Sequence, residues 1–329
     1  MKALNYEVLE QTREITQKGF ILKSIEGKCQ NVADGLKYEL QYIELNRNQM
    51  REIQKGFRAG LTCEQVALYA SPEFNCEQMT KIRCGFEAGL TCEQVALYAS
   101  PKFNCEQMSE IRCGFEAGLT CKQVAMYAKP ELTKWQMAGF RRGLLMGFTN
   151  GQIELLTEAY FNSFQTNEIV CGFENGLTCR QVKMYANPEL NSNQMHEIRL
   201  GFENGLTCIQ VKKYASSLFD YGQMCEIRLG LEAGLTSEQI ELYAWFGLSW
   251  AQMWEIRKGF ENGLSMSQVE QYASSLFDCD QMYEIRKGLE TGLTSKQVAR
   301  YAKSEISSEW MKEIRRMLEL KNKLFRKAK

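Results

Sequence analysis

Asn75-Cys76-Glu77-Gln78-Met79-Thr80-Lys81-Ile82-Arg83-Cys84-Gly85-Phe86-Glu87-Ala88-Gly89-Leu90-Thr91-Cys92-Glu93-Gln94-Val95-Ala96-Leu97-Tyr98-Ala99-Ser100-Pro101-Lys102-Phe103 is one 29-residue unit of a tandem array. Its Gln78-Met79 dipeptide recurs at Gln49, Gln107, Gln136, Gln194, Gln223, Gln252 and Gln281, always on the same 29-residue grid. Gln165-Thr166 and Trp310-Met311 fill the two remaining slots. Ten units therefore begin at Asn46, Asn75, Asn104, Thr133, Asn162, Asn191, Asp220, Ser249, Asp278 and Ser307. Self-similarity at a fixed period overrides the prior of about two ordinary domains that 329 residues suggest at ~150 residues each.

Every unit start is a helix N-cap residue. Asn75-Cys76-Glu77-Gln78 is a capping box, with the cap side chain on the N3 amide and the N3 side chain reaching back. Phe74 before the cap and Met79 four places after it form a hydrophobic staple. The helix runs about 13 residues to Gly89, a residue that can take the left-handed geometry of a C-cap. A second capping box, Thr91-Cys92-Glu93-Gln94, opens a helix of about 9 residues that ends near Tyr98-Ala99. Pro72, Pro101, Pro130 and Pro188 mark four of the linkers.

Met79, Ile82 and Phe86 form one apolar stripe at helical spacing. Gly85 beside them costs about 1 kcal/mol relative to alanine, so its recurrence predicts close helix–helix approach. Two short helices cannot enclose a core, so the units must stack on their neighbours. The expected fold is all-α: an α-solenoid of ten two-helix repeats, about 90 Å long at 8–10 Å per unit. Residues 1–45 read as an N-terminal helical cap, echoed in Glu14-Ile15, Gly19-Phe20 and Gly35-Leu36. Residues 46–306 are nine complete repeats, and 307–329 a truncated tenth with a basic C-terminal cap.

Lys plus Arg and Asp plus Glu each number 40, so no global charge pulls the chain toward nucleic acid or anionic lipid. The 13 cysteines form no Cys-x-x-Cys pair and read as half-buried apolar residues. The single histidine, His196, has no partner for a metal site or relay and reads as a surface residue. No signal core or membrane-length apolar run occurs, so a cytoplasmic chain without a membrane partner is expected. With no phosphate loop, nucleophile elbow or paired acids, the chain reads as non-enzymatic, and no cofactor or metal is called for.

The unit Gln-Met-x-Glu-Ile-Arg-x-Gly-Phe-Glu-x-Gly-Leu-Thr-x-x-Gln-Val-x-x-Tyr-Ala resembles short helical tandem repeats of bacterial proteins from about Asn46 to Glu319. That resemblance implies a helical array, often in bacterial or mobile-element proteins, and no activity. Gly89-Leu90-Thr91-Cys92-Glu93-Gln94-Val95 also resembles the first helix of transcription-activator-like effector repeats, which read DNA one base per repeat. Those proteins have a glycine-rich loop followed by Lys-Gln; this chain has Ser100-Pro101-Lys102-Phe103. Its unit is shorter and carries no net charge, whereas DNA affinity needs a basic track.

The places where the repeat departs from itself nominate function. The fourth unit has Gly139-Phe140-Arg141 for Glu-Ile-Arg, puts Leu145 at a charged slot and lacks Tyr-Ala, so it reads as a contact, a hinge, a dimer seam or drift. Unit eight carries Trp250 and Trp254, unit seven Tyr221 and unit nine Tyr283. The expectation is an aromatic patch flanked by Arg257 and Lys258, or alternatively rings packed on the next helix or on the Trp245-Phe246 linker. The i, i+4 pairs Arg83/Glu87, Arg112/Glu116 and Arg199/Glu203 read as structural. A scaffold that binds a partner protein is expected, by analogy an inhibitor of a host enzyme if the source is a phage or mobile element. Nucleic-acid binding is the alternative.

Overall fold

The computed structural model describes residues 20–24, 38–42, 45–157 and 161–327. Among the described residues ten longer helices alternate with nine shorter ones. In chain order they are α1 Arg47–Arg58, α2 Cys63–Ala67, α3 Cys76–Glu87, α4 Cys92–Ala96, α5 Cys105–Glu116, α6 Cys121–Ala125, α7 Lys134–Leu145, α8 Asn150–Thr157, α9 Ser163–Glu174 and α10 Cys179–Val182. They continue as α11 Ser192–Glu203, α12 Cys208–Val211, α13 Tyr221–Glu232, α14 Ser237–Tyr243, α15 Trp250–Glu261, α16 Met266–Val269, α17 Cys279–Glu290, α18 Ser295–Val298 and α19 Ser308–Lys327. The chain divides into two compact bodies, Met1–Ile153 and Glu154–Lys329. In the first, α1, α3, α5 and α7 pack in chain order; in the second, α9, α11, α13, α15, α17 and α19 do the same. Packing of successive units is what a helical repeat requires.

The local rules read from the sequence hold in detail. Asn75 Oδ1 accepts from the Gln78 N–H at 2.9 Å, and the Asn75 N–H donates to Gln78 Oε1 at 2.9 Å. Gly89 has φ 88°, and its N–H bonds to Phe86 O while Leu90 N–H bonds to Gly85 O. That pair of bonds is a Schellman C-cap, which satisfies two helix-end carbonyls and hands the chain straight to the Thr91 cap. The stripe of Met79, Ile82 and Phe86 is buried, as are Phe74 before the cap and Val95 in the second helix. The shorter helices are briefer than expected, Cys92–Ala96 spanning 5 residues. Beyond them Tyr98 N–H bonds to Val95 O and Ser100 N–H to Tyr98 O, so the chain tightens into turns before the linker. The twelve described cysteines are all half-buried, as small apolar residues at these positions should be.

The expected helical cap over 1–45 is corrected at residues 20–24 and 38–42. β1 (Phe20–Ser24) and β2 (Tyr38–Tyr42) pair antiparallel, Phe20 opposite Tyr42 and Leu22 opposite Leu40. The reason lies in the pattern: Tyr38, Leu40 and Tyr42 alternate with Glu39 and Gln41, a period of two that suits a strand. β1 packs on α2. Glu14-Ile15, Gly19 and Gly35-Leu36, on which the cap reading also rested, lie outside the described residues.

A second correction concerns the mid-helix glycine. A Cβ on Gly85 would overlap the hydroxyl of Tyr98, and the same holds for Gly114 with Tyr127, Gly201 with Tyr214, Gly230 with Tyr243 and Gly259 with Tyr272. The space is needed for a tyrosine, not for a second helix axis. From Tyr127 onward these hydroxyls donate to the main-chain carbonyl of the residue four before the glycine, as Tyr243 does to Glu226 O at 3.2 Å and Tyr185 to Glu168 O at 3.2 Å. The fourth unit changes both partners together: Leu156 replaces the tyrosine and is buried, and the Phe148 ring fills the space at Gly143. Compensated packing of this kind argues against simple drift.

Candidate functional site

Two side-chain systems join neighbouring units, and both must be set aside before a binding surface can be seen. The first is the N3 glutamine. While Oε1 of Gln223 caps its own helix, its Nε2 donates to Leu248 O at 2.6 Å and Phe246 O at 3.1 Å in the following linker. Gln49, Gln78, Gln107, Gln165 and Gln281 bridge in the same way. Only an amide has an acceptor at one end and a donor at the other, which is why glutamate does not serve here.

The second system is a ladder of ion pairs. Arg257 Nε donates to Glu226 Oε2 of the preceding unit at 2.8 Å, and its Nη1 donates to Glu261. Arg228 joins Glu197 and Glu232, Arg286 joins Glu255 and Glu290, and Arg315 joins Glu284 and Glu319. Burial disfavours the charged guanidinium of Arg257, yet its hydrogen bonds and attraction to the two carboxylates outweigh that and raise its pKa. Burial pushes the carboxyls of Glu226 and Glu255 up despite their arginines. In the more open Glu261 and Glu290, hydrogen bonds overcome the burial effect and hold the carboxyl low. The ladder arginines other than Arg112 also tie one unit to the next, which i, i+4 spacing does not reveal.

The ladder lacks the carboxylate in two units, at Lys81 and at Gly139, and at Gly139 the facing arginine slot is Val170 as well. Lys81 stands at the slot that holds Glu52, Glu110, Glu168 and Glu197 in other units, and Arg112 Nε is buried without a hydrogen-bond partner. Lys81→Glu is expected to stabilise the protein by about 1 kcal/mol, because it supplies a charge-assisted acceptor and removes a like charge. Urea unfolding followed by circular dichroism checks this, with Lys81→Gln gaining less. His196 is a ladder member too: its Nδ1 lies 3.2 Å from Glu168 Oε2 and 2.9 Å from Arg199 Nη2. It remains at the surface, as expected, with its side chain 43% exposed.

The expected patch aromatics fall into two groups by their surroundings. Trp254 is half-buried; the guanidinium carbon of Arg286 lies 5.5 Å from its ring centre and 5.4 Å from that of Tyr283. Trp254 and Tyr283 thus cover a ladder arginine in cation–π contact. Arg257, expected to flank the patch, is 5% exposed and engaged by two glutamates. Lys258 is half-buried and paired with Glu261 at 2.7 Å. The other group is open. Tyr221 and Trp250 are 56% and 55% exposed, and Trp250 lies against Gly222 of the preceding unit.

Around Tyr221 and Trp250 the structure gathers residues that a search for aromatic pairs had missed. The position two before the cap is Glu44, Glu73, Lys102, Glu131, Glu189 or Glu305 in six units, Tyr160 and Gly247 in two, and Leu218 and Leu276 here; these two leucines are 70% and 74% exposed. Between them Phe246 is exposed, and Trp245 folds over Gly247, where any Cβ would strike its ring. The Gln223 and Gln252 amides hold the intervening linkers against the helix starts, at Leu248 O and Phe277 O. Leu218, Tyr221, Phe246, Trp250 and Leu276 therefore share one linker edge of units six to eight. Part of the signal was legible in the column two before the cap, where Leu218 and Leu276 replace the Glu or Lys of most units. No protein-family model matches the chain, and no curated protein or solved structure matches it.

Proposed function

We propose that the chain is a ten-unit helical repeat scaffold that binds a partner protein through the apolar linker edge of units six to eight. The observation that carries this reading is the exposure of Leu218, Phe246 and Leu276 on the linkers that end units six to eight, where most other units place Glu or Lys two residues before the cap. Apolar residues scattered singly are ordinary, but a row of them with Tyr and Trp has the composition of a binding hot spot. Arg228, Arg257 and Arg286, which a nucleic-acid reading would need for phosphates, are each engaged by two carboxylates. That favours protein over nucleic acid as the partner.

The test uses the repeat's own chemistry. Leu218→Glu/Leu276→Glu restores the residue that other units carry, so folding should not suffer. Wild type immobilised in nuclease-treated lysate of the source cells is expected to retain a protein that the double variant loses, at unchanged helicity. The retained protein, once purified, should bind wild type at least about tenfold more tightly than the variant. Equal binding by both, or recovery of nucleic acid alone, would sink the reading.

A further inference from the structure

The last helix presents a second apolar face, unrelated to the linker edge. Met311 and Leu318 of α19 are buried, whereas Trp310, Met317, Leu320 and Leu324 are exposed. Trp310, Met317 and Leu324 recur at heptad steps with Leu320 beside them, so all four lie on one side of the helix. At the equivalent slots unit nine holds Gln281, Gly288 and Thr291. Trp310 lacks the amide that clamps a following linker, and Met317 stands where unit nine has Gly288, the residue that leaves room for the Tyr301 hydroxyl. Lys321 stands where the turn glycine belongs, and α19 runs through it for 20 residues. A further unit of this repeat does not fit such a face, yet the face is apolar where a solvated cap should be polar.

We propose that this face pairs with the same face of a second copy, antiparallel, about a two-fold axis through Met317. The occupant follows from the spacing. Trp310 and Leu324 lie seven residues to either side of Met317, and Glu313 and Lys321 four residues to either side. A two-fold axis there sets Trp310 against Leu324 of the second copy, Glu313 against Lys321 of the second copy, and Met317 against itself. That is the self-complementarity an isologous interface demands. Glu313 is 57% exposed and meets only the equally exposed Arg316 at 3.3 Å among the ion pairs of the described residues. A carboxylate within the apolar stripe suits a facing lysine.

Sedimentation equilibrium of the full chain in the micromolar range is expected to show a dimer. Trp310→Glu/Leu324→Glu should weaken it about 100-fold or more at unchanged far-ultraviolet circular dichroism. Glu313→Lys and Lys321→Glu should each weaken it about tenfold, and the two together should restore it. That rescue cannot come from a folding defect. A wild type that stays monomeric across this range overturns the proposal, and co-sedimentation of that monomer with phosphatidylserine vesicles would make the face lipid-binding instead. A dimer indifferent to all four substitutions overturns it as well.

Discussion

Arg257→Met is expected to destabilise the protein by about 3–5 kcal/mol, the largest effect of any single surface-to-core substitution in the ladder. Glu226 and Glu261 would keep their charges without the guanidinium that both now share. Glu226 has little water to fall back on, since its side chain is 8% exposed. Arg257→Met/Glu226→Leu should recover most of the loss, because replacing both members of a buried pair by apolar groups is often neutral. Lys134→Ala, which breaks the exposed pair with Glu106, should change stability by no more than about 0.5 kcal/mol. Urea titrations of all three variants measure the contrast. The Arg257→Met transition should also broaden, since in a linear array an interface lost in the middle uncouples the units on either side. A small effect for Arg257→Met would mean that water reaches the ladder more freely than its burial implies.

Local structure was legible because local structure is what residue spacing encodes. Asn75 and Gln78, or Gly89 and Leu90, act on backbone groups within a turn, so their roles follow from their separation alone. The interactions between units were not legible. Gln223 displays its capping bond in the sequence, but its second bond reaches the linker 25 residues on. Arg228 pairs visibly with Glu232, while Glu197 lies 31 residues away and emerges only when units are stacked. The binding edge was half legible for a related reason. Trp250 and Trp254 stand out by type, yet the stacking places one over an open edge and the other over Arg286. Leu218 and Leu276 do not stand out by type, only by comparison with the glutamate at their slot in other units.

The tyrosine–glycine pairing gives the second large effect, and its sign runs against helix propensity. In an exposed helix Gly→Ala stabilises by about 1 kcal/mol. Gly230→Ala is expected to destabilise by about 2–3 kcal/mol instead, because the new methyl would overlap the Tyr243 hydroxyl. Tyr243 has no room to withdraw, being fully buried, and moving it also breaks the bond to Glu226 O. Tyr243→Phe alone loses that bond and should cost about 1 kcal/mol. The double variant removes the clashing oxygen and keeps the alanine, so it should be more stable than Gly230→Ala alone. The coupling energy in this cycle, read from thermal or urea unfolding, should be about 2 kcal/mol and favourable. Additive effects would show that glycine is needed at this slot for some reason other than the hydroxyl. The same substitution at Gly143, where Phe148 fills the space, should be just as damaging and should not respond to any change at Leu156.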